Sequence, residues 1–172
     1  GRLTGEMATS LGTHNADSSE RRQPKPYHKR FKNFKTRTLD ATDALIRTRP
    51  SSLPEETRKA VFDAWITEIS AIYNMKKPTI IWDDDAIESG GGYYRLDNHS
   101  ITLAPSRPSV VTLLHEIRHA LQYAGKNVKM VDEDVEIDAR AWSLSLYYKT
   151  RPKLFKKLVK QGRIFHITED EL

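Results

Sequence analysis

Cysteine is missing from all 172 residues. Its absence excludes disulfides and any thiolate metal site, and leaves the redox compartment unmarked. Also missing is any apolar run near the roughly 18 residues that a membrane-crossing helix requires, so no membrane partner is expected. The first residues, GRLTGEMATSLGTH, lack the apolar stretch of a secretory leader, and the expected compartment is cytoplasmic. Acid is missing from one place in particular. Positions 21–37, RRQPKPYHKRFKNFKTR, hold eight Lys and Arg and no Asp or Glu. The whole chain carries a formal charge of +5, yet outside that segment acids outnumber bases by 23 to 20. The basic character therefore belongs largely to one stretch and not to the surface as a whole.

What remains suffices for one domain with a real core. Three regions are expected: a polar, then basic N-terminal arm over 1–37, largely disordered; a domain over 38–165; and an acidic tail over 166–172. Inside the domain, LDATDALIR at 39–47 suggests a short helix. Ser52 with Glu55 predicts a capping box, opening a helix whose apolar beat runs Val61, Phe62, Trp65, Ile66, Ile69, Ile72 and Tyr73. TIIW at 79–82 reads as a buried strand, and 93–96 with 101–103 as a hairpin turning at Asp97 and Asn98. Ser106 or Ser109 can cap the next helix, which Gly125 ends. Further helices are predicted over about 132–149 and 152–161. The fold class is α+β, a small antiparallel or mixed sheet packed against helices.

The helix over 110–125, VVTLLHEIRHALQYAG, contains His115-Glu116-x-x-His119. Val110, Leu113, Leu114, Ile117, Ala120, Leu121 and Ala124 form its apolar stripe, and the two histidines project together from another side. One turn separates them, so two imidazoles can reach one ion. Glu116 sits one step further round, where a carboxylate can address a ligand of that ion. Thr112 and Tyr123 share the histidine side, and Val111, Arg118 and Gln122 are left as a narrow solvent strip. Chance yields the motif in on the order of one such chain per hundred. The bland reading is an ordinary helix with two surface histidines.

A catalytic zinc site needs a third protein ligand, with water in the fourth position. A histidine six residues beyond His119 is excluded, because Gly125 stands there. DEDVEIDARAWSLSLYYK at 132–149 offers a better donor. On a helical wheel Asp138, Ser145 and Lys149 share one side, which reads as the solvent face. Glu136 points the opposite way, into the buried half, where an unpartnered carboxylate costs several kcal/mol or more. A divalent ion would satisfy it; an ion pair with Arg140 is the alternative. Asp132 and Glu133 fall near the same face, as groups to orient a histidine or as fallback ligands.

These residues resemble the zincin metallopeptidases, specifically the gluzincin branch, in which His-Glu-x-x-His on one helix is joined by Glu from the next. The matching stretch here is Glu136-Ile137-Asp138-Ala139-Arg140. The spacing and element order are most similar to the minimal ImmA/IrrE-type members, over roughly residues 52–149. The resemblance implies a minimal zincin fold over 38–165, His115, His119 and Glu136 as zinc ligands, and Glu116 as general base. It also implies a zinc-dependent endopeptidase acting on a protein or peptide. Arg140 departs from the Asp or Asn usual at its position, so Asp132 or Glu133 replaces that acid, or Arg140 itself acts as an electrophile. Tyr93, Tyr94, His99, Tyr123, Tyr147 and Arg140 are all conceivable donors to an oxyanion. Tyr123 and Tyr147 are favoured, as they share faces with the histidines and Glu136. The 93–103 hairpin offers an edge to which an extended peptide could add.

The basic segment interleaves Tyr27, Phe31 and Phe34 with Arg21, Arg22, Lys25, Lys29, Arg30, Lys32 and Lys35. Such a pattern suits phosphates and stacked bases, so nucleic acid is a candidate partner. The alternative is a solvated lead-in whose aromatics dock on the domain. Two rival functions follow: a nucleic-acid-binding protein that retains a zincin fold, or a protease acting on DNA-bound proteins.

Overall fold

The computed structural model of the chain describes residues 2–3 and 25–172. The architecture is α+β. Strand β1 (Arg2–Leu3) is followed by helices α1 (Thr36–Arg47) and α2 (Glu55–Ile72), then β2 (Thr79–Trp82). Strands β3 (Gly92–Arg95) and β4 (Ser100–Leu103) lead into α3 (Val110–Ala124), α4 (Val135–Thr150) and α5 (Pro152–Lys160). The sheet order is β1-β3-β4-β2, with β3 antiparallel to β4 and the two outer strands parallel to their neighbours. No helix among the described residues is long and apolar enough to cross a membrane.

The apolar beat of α2 buries Phe62, Trp65, Ile66, Ile69 and Ile72, and Trp65 donates its indole N–H to Thr42 of α1 at 3.1 Å. The capping box expected from Ser52 and Glu55 does not form. Pro54 occupies the cap with extended dihedrals, and Ser52 is folded into the preceding 3-10 turn, donating to the Arg49 carbonyl. Glu55 and Glu56 still complement the helix dipole in the first turn. TIIW is a strand, but an edge strand: β4 alone flanks it, and Ile81 is 39% exposed. The fully buried strand is β4, held between β2 and β3.

The hairpin sits where expected, and its glycines set how closely α3 approaches. Gly91 has φ +100°, a conformation that disfavours a side chain. A Cβ on Gly92 would stand 3.0 Å from the Thr102 carbonyl oxygen, the Leu103 side chain and Thr112 of α3. The small residue thus lets α3 lie directly on the strand. Ser109 caps α3, accepting the Thr112 N–H at 3.2 Å.

Helices α3 and α4 are enclosed nearly all round. Every residue from 113 to 121 is buried, and so is every residue from 136 to 147 except Arg140. This corrects two expectations. Arg118 is not on a solvent strip, and Asp138 and Ser145 are not on a solvent face. The cover is supplied by the basic arm, which is folded from Lys25 onward and not largely disordered there. Ser145 donates to the Tyr27 carbonyl at 2.9 Å and accepts the Phe31 N–H at 3.1 Å. His28 is buried, stacked on Phe155 and edge-on to Tyr148, while Phe34 meets Trp142. The acidic tail also docks in part, since Ile167 is buried and Thr168 with Glu171 forms a capping box. Arg21 and Arg22 lie outside the described residues.

Candidate metal centre

Three side chains from two helices converge. Nε2 of His115 is 3.2 Å from Nε2 of His119 and 3.3 Å from Oε1 of Glu136. Nε2 of His119 is 2.7 Å from Oε2 of Glu136. All three residues are buried, and among the described residues theirs is the cluster whose donor atoms lie within 4.8 Å of one another. Ligands held about 2.0–2.1 Å from a tetrahedral ion stand about 3.3 Å apart. Two of the three separations match that edge, and the third is shorter. Oε2 of Glu136 is buried and, among the described residues, accepts no well-directed hydrogen bond despite its nearness to His119. The His115–Glu136 and His115–His119 contacts also satisfy hydrogen-bond geometry, whereas the short His119–Glu136 approach does not, and a shared cation would satisfy all three atoms at once.

Burial holds the His115 imidazole neutral, its pKa lowered to about 3 despite the Glu136 carboxylate beside it. Burial also disfavours a charged His119, but the carboxylates of Glu136 and Glu116 and the Gln122 amide outweigh it and raise its pKa. Glu136 is the converse. Burial alone would protonate it, yet the two imidazoles hold its carboxyl well below the usual range. Glu116 is wholly buried, and the loss of water raises its pKa to about 7. A carboxyl poised there, electrostatically coupled to His119 and Glu136, has the proton affinity of a base working at neutral pH.

Behind the donors lies a polar network that a helical wheel does not reveal. Nδ1 of His119 is 2.8 Å from Oε1 of Gln122, an arrangement that places the ring proton on Nδ1 and frees Nε2. The Gln122 amide in turn donates to the Val135 carbonyl and to Oδ2 of Asp138. Asp138 also accepts two bonds from the Arg118 guanidinium and one from the Val131 N–H. Gln122 therefore does what Asp132 and Glu133 were expected to do. Asp132 instead accepts the Asp134 N–H, and Glu133 is exposed. Asp134, absent from the expected set, caps α4 by accepting the Glu136 and Ile137 N–H groups and so aims Glu136. The Asp-x-Glu spacing carried that signal.

A cleft of about 490 Å³ opens onto His115, bounded by Gly90, Gly91, Arg107, Thr112, Arg140 and the 162–166 segment. Of the expected oxyanion donors, Arg140 lines it; Tyr123 and Tyr147 do not. Tyr147 is buried against Phe155. Tyr123 stacks on Tyr94, and burial with the Glu136 charge raises its pKa. Glu136 does not pair with Arg140. Elsewhere, Lys25, Arg30, Lys32 and Lys35 of the arm face Lys126 and Lys129 across a groove of about 870 Å³ with no acidic lining residue among the described residues. Lys29 lines a neighbouring cavity with Lys25, Lys32 and Lys149. The arm's aromatics Tyr27, Phe31 and Phe34 pack against the core of the domain, with Phe31 beneath Arg118 and Tyr27 beneath the arm's own Arg30.

No protein-family model, curated protein or solved structure matches the chain. The chemistry therefore rests on these side chains alone.

Proposed function

We propose that this protein is a zinc-dependent peptidase of minimal, gluzincin-like build. The observation that carries the reading is the convergence of His115, His119 and Glu136 from α3 and α4, with buried Glu116 between the histidines. Two imidazoles and one carboxylate are a donor set suited to zinc. A bound zinc ion lowers the pKa of water and polarises a carbonyl. Glu116 takes a proton from the attacking water and passes it to the departing amine. Gln122 keeps His119 in the tautomer that leaves Nε2 available, and Asp134 fixes the start of α4 and with it Glu136. The substrate reaches the centre through the cleft at His115, whose wall includes Arg140.

Elemental analysis of purified protein tests this directly. Wild type should hold one zinc per chain, Glu136→Ala should lose it, and Glu116→Gln should retain zinc while hydrolysis falls at least about 100-fold. Unchanged zinc in Glu136→Ala would move the third ligand to Asp132, Glu133 or His166. Full hydrolysis by Glu116→Gln would remove Glu116 from the mechanism.

The acid-free groove supports a second reading, in which nucleic acid binds there, either in place of proteolysis or to bring the peptidase to DNA-bound proteins. Truncating residues 1–37 would not test it, because Tyr27, His28, Phe31 and Phe34 cover the core. Lys126→Glu with Lys129→Glu would. Binding of a single-stranded oligonucleotide should weaken and lose salt dependence, while zinc content stays unchanged. An affinity insensitive to both substitutions removes this reading.

A further inference from the structure

The cleft at His115 has one sign of charge. Arg107, Arg140 and Arg163 line it, with His115 and His166, and no Asp or Glu does among the described residues. The two buried guanidinium groups elsewhere in the described chain both have partners, although Nε of Arg58 is left without one among the described residues. Arg118 is clamped on Asp138, and Arg58 donates to the Leu53 and Pro105 carbonyls. Arg140 differs. It is half-buried on α4, and among the described residues its guanidinium has neither an ion pair nor a hydrogen bond. The carboxylate one turn before it, Glu136, is held by the two histidines instead. A guanidinium carries five donors in a planar fork that matches a carboxylate. Leaving it without an acid in a partly dry cleft is costly unless the partner arrives with the substrate.

The rest of the wall suits a peptide. Arg107 and Arg163 are exposed at the rim, where they would draw an anion inward. Phe165, in the same wall, is 77% exposed and offers an apolar surface for a neighbouring side chain.

We propose that Arg140, flanked by Arg107 and Arg163, is a carboxylate-binding subsite. The peptide hydrolysed at the metal centre then carries an acidic group beside the bond that is cleaved. This specificity rests on the peptidase reading. The carboxylate comes either from an Asp or Glu side chain or from the peptide's own C-terminus, and both use the same fork.

Binding to zinc-loaded Glu116→Gln protein tests the proposal without turnover. The probes are fluorescent peptides read by anisotropy: one with a central Glu and blocked ends, its Gln twin, and the Gln twin with a free C-terminus. The Glu peptide should bind roughly 10- to 100-fold more tightly than its twin, the effect of a charge-assisted bidentate contact. A gain for the free-C-terminus peptide instead assigns the subsite to a terminal carboxylate. Adding Arg140→Gln should erase whichever preference is found, with zinc content unchanged. Should Arg140→Gln fail to fold, the exposed pair Arg107→Gln and Arg163→Gln should still reduce the preference severalfold. Equal binding of all three peptides, or a preference indifferent to these arginines, overturns the proposal. So does displacement of the Glu peptide by a single-stranded oligonucleotide in an Arg140-dependent way, which would make the subsite a phosphate site. Wild-type hydrolysis separates the two levels. Neutral peptides cut as fast as acidic ones sink the subsite and leave the peptidase standing; Arg140-dependent binding with no cleavage of any peptide does the reverse.

Discussion

Nδ1 of His119 lies 2.8 Å from the side-chain oxygen of Gln122, and the amide nitrogen of that same Gln122 reaches Asp138 at 2.8 Å. One neutral side chain thus fixes the tautomer of a histidine of the candidate metal centre and ties it to the next helix. Gln122→Ala should lower zinc affinity about 10- to 100-fold with little change in fold. Competition against a chromophoric chelator measures it. Unaltered affinity would mean that packing alone orients His119.

Arg118 and Asp138 are both almost wholly buried, and their closest approach is 2.7 Å. Removing one partner strands the other charge. Arg118→Met should cost about 3–5 kcal/mol in urea denaturation, and adding Asp138→Asn should restore part of that loss. A single-variant cost below about 1 kcal/mol would show that the carboxylate finds another partner.

Protonation of the centre is uneven. His115, with a pKa near 3, is neutral at pH 6.5, whereas at His119 the carboxylates of Glu136 and Glu116 outweigh burial and favour a second ring proton. Zinc must displace the His119 proton, and it pulls down Glu116, whose pKa lies near 7. Calorimetry in buffers of different ionisation enthalpy should record release of about one to two protons at pH 6.5. Apparent zinc affinity should rise as pH rises and fall about tenfold per unit on acidification for each proton released. Binding without proton release contradicts the assignment.

His28 is 1% exposed, and neither ring nitrogen has a hydrogen-bond partner among the described residues. Burial lowers its folded pKa below the ordinary 6.5. Below pH 6.5 the unfolded chain takes up a proton that the folded chain refuses, so this stability is complete above that pH and is lost as pH falls towards the folded pKa. His28→Phe, which keeps a ring against Phe155, should stabilise by about 1–3 kcal/mol, and by more at pH 5 than at pH 7.5. An equal gain at both values would show that His28 does not contribute to the acid sensitivity.

Periodicity made much of this legible. The His115–His119 pair, the inward course of Glu136, the hairpin and the Ser109 cap all follow from spacing within a single element. Contacts between elements did not. A wheel drawn for α3 or α4 alone treats Arg118, Gln122, Asp138 and Ser145 as polar and therefore outward, and only the docked arm and the α3–α4 contact turn them inward. The arm misled for a related reason. Its charge suggested solvation, while its spaced rings, Tyr27, His28, Phe31 and Phe34, sit in the hydrophobic packing around α4. The expected Ser52 cap failed locally, because Pro54 claims the position that starts α2.

His119 meets Glu136 and Arg118 meets Asp138, so two neighbouring residues of α3 each find an acid on α4. Sliding α4 by one turn, about 5.4 Å, would set Arg140 and Trp142 in one direction, or the pre-helical Asp132 and Asp134 in the other, where those acids now stand. The first places a cation and an indole opposite a histidine and a guanidinium; the second calls for residues outside the helix. The pair of rods therefore has a single workable alignment, keyed by charge, and the geometry of the three-residue cluster is decided when the two helices first mesh.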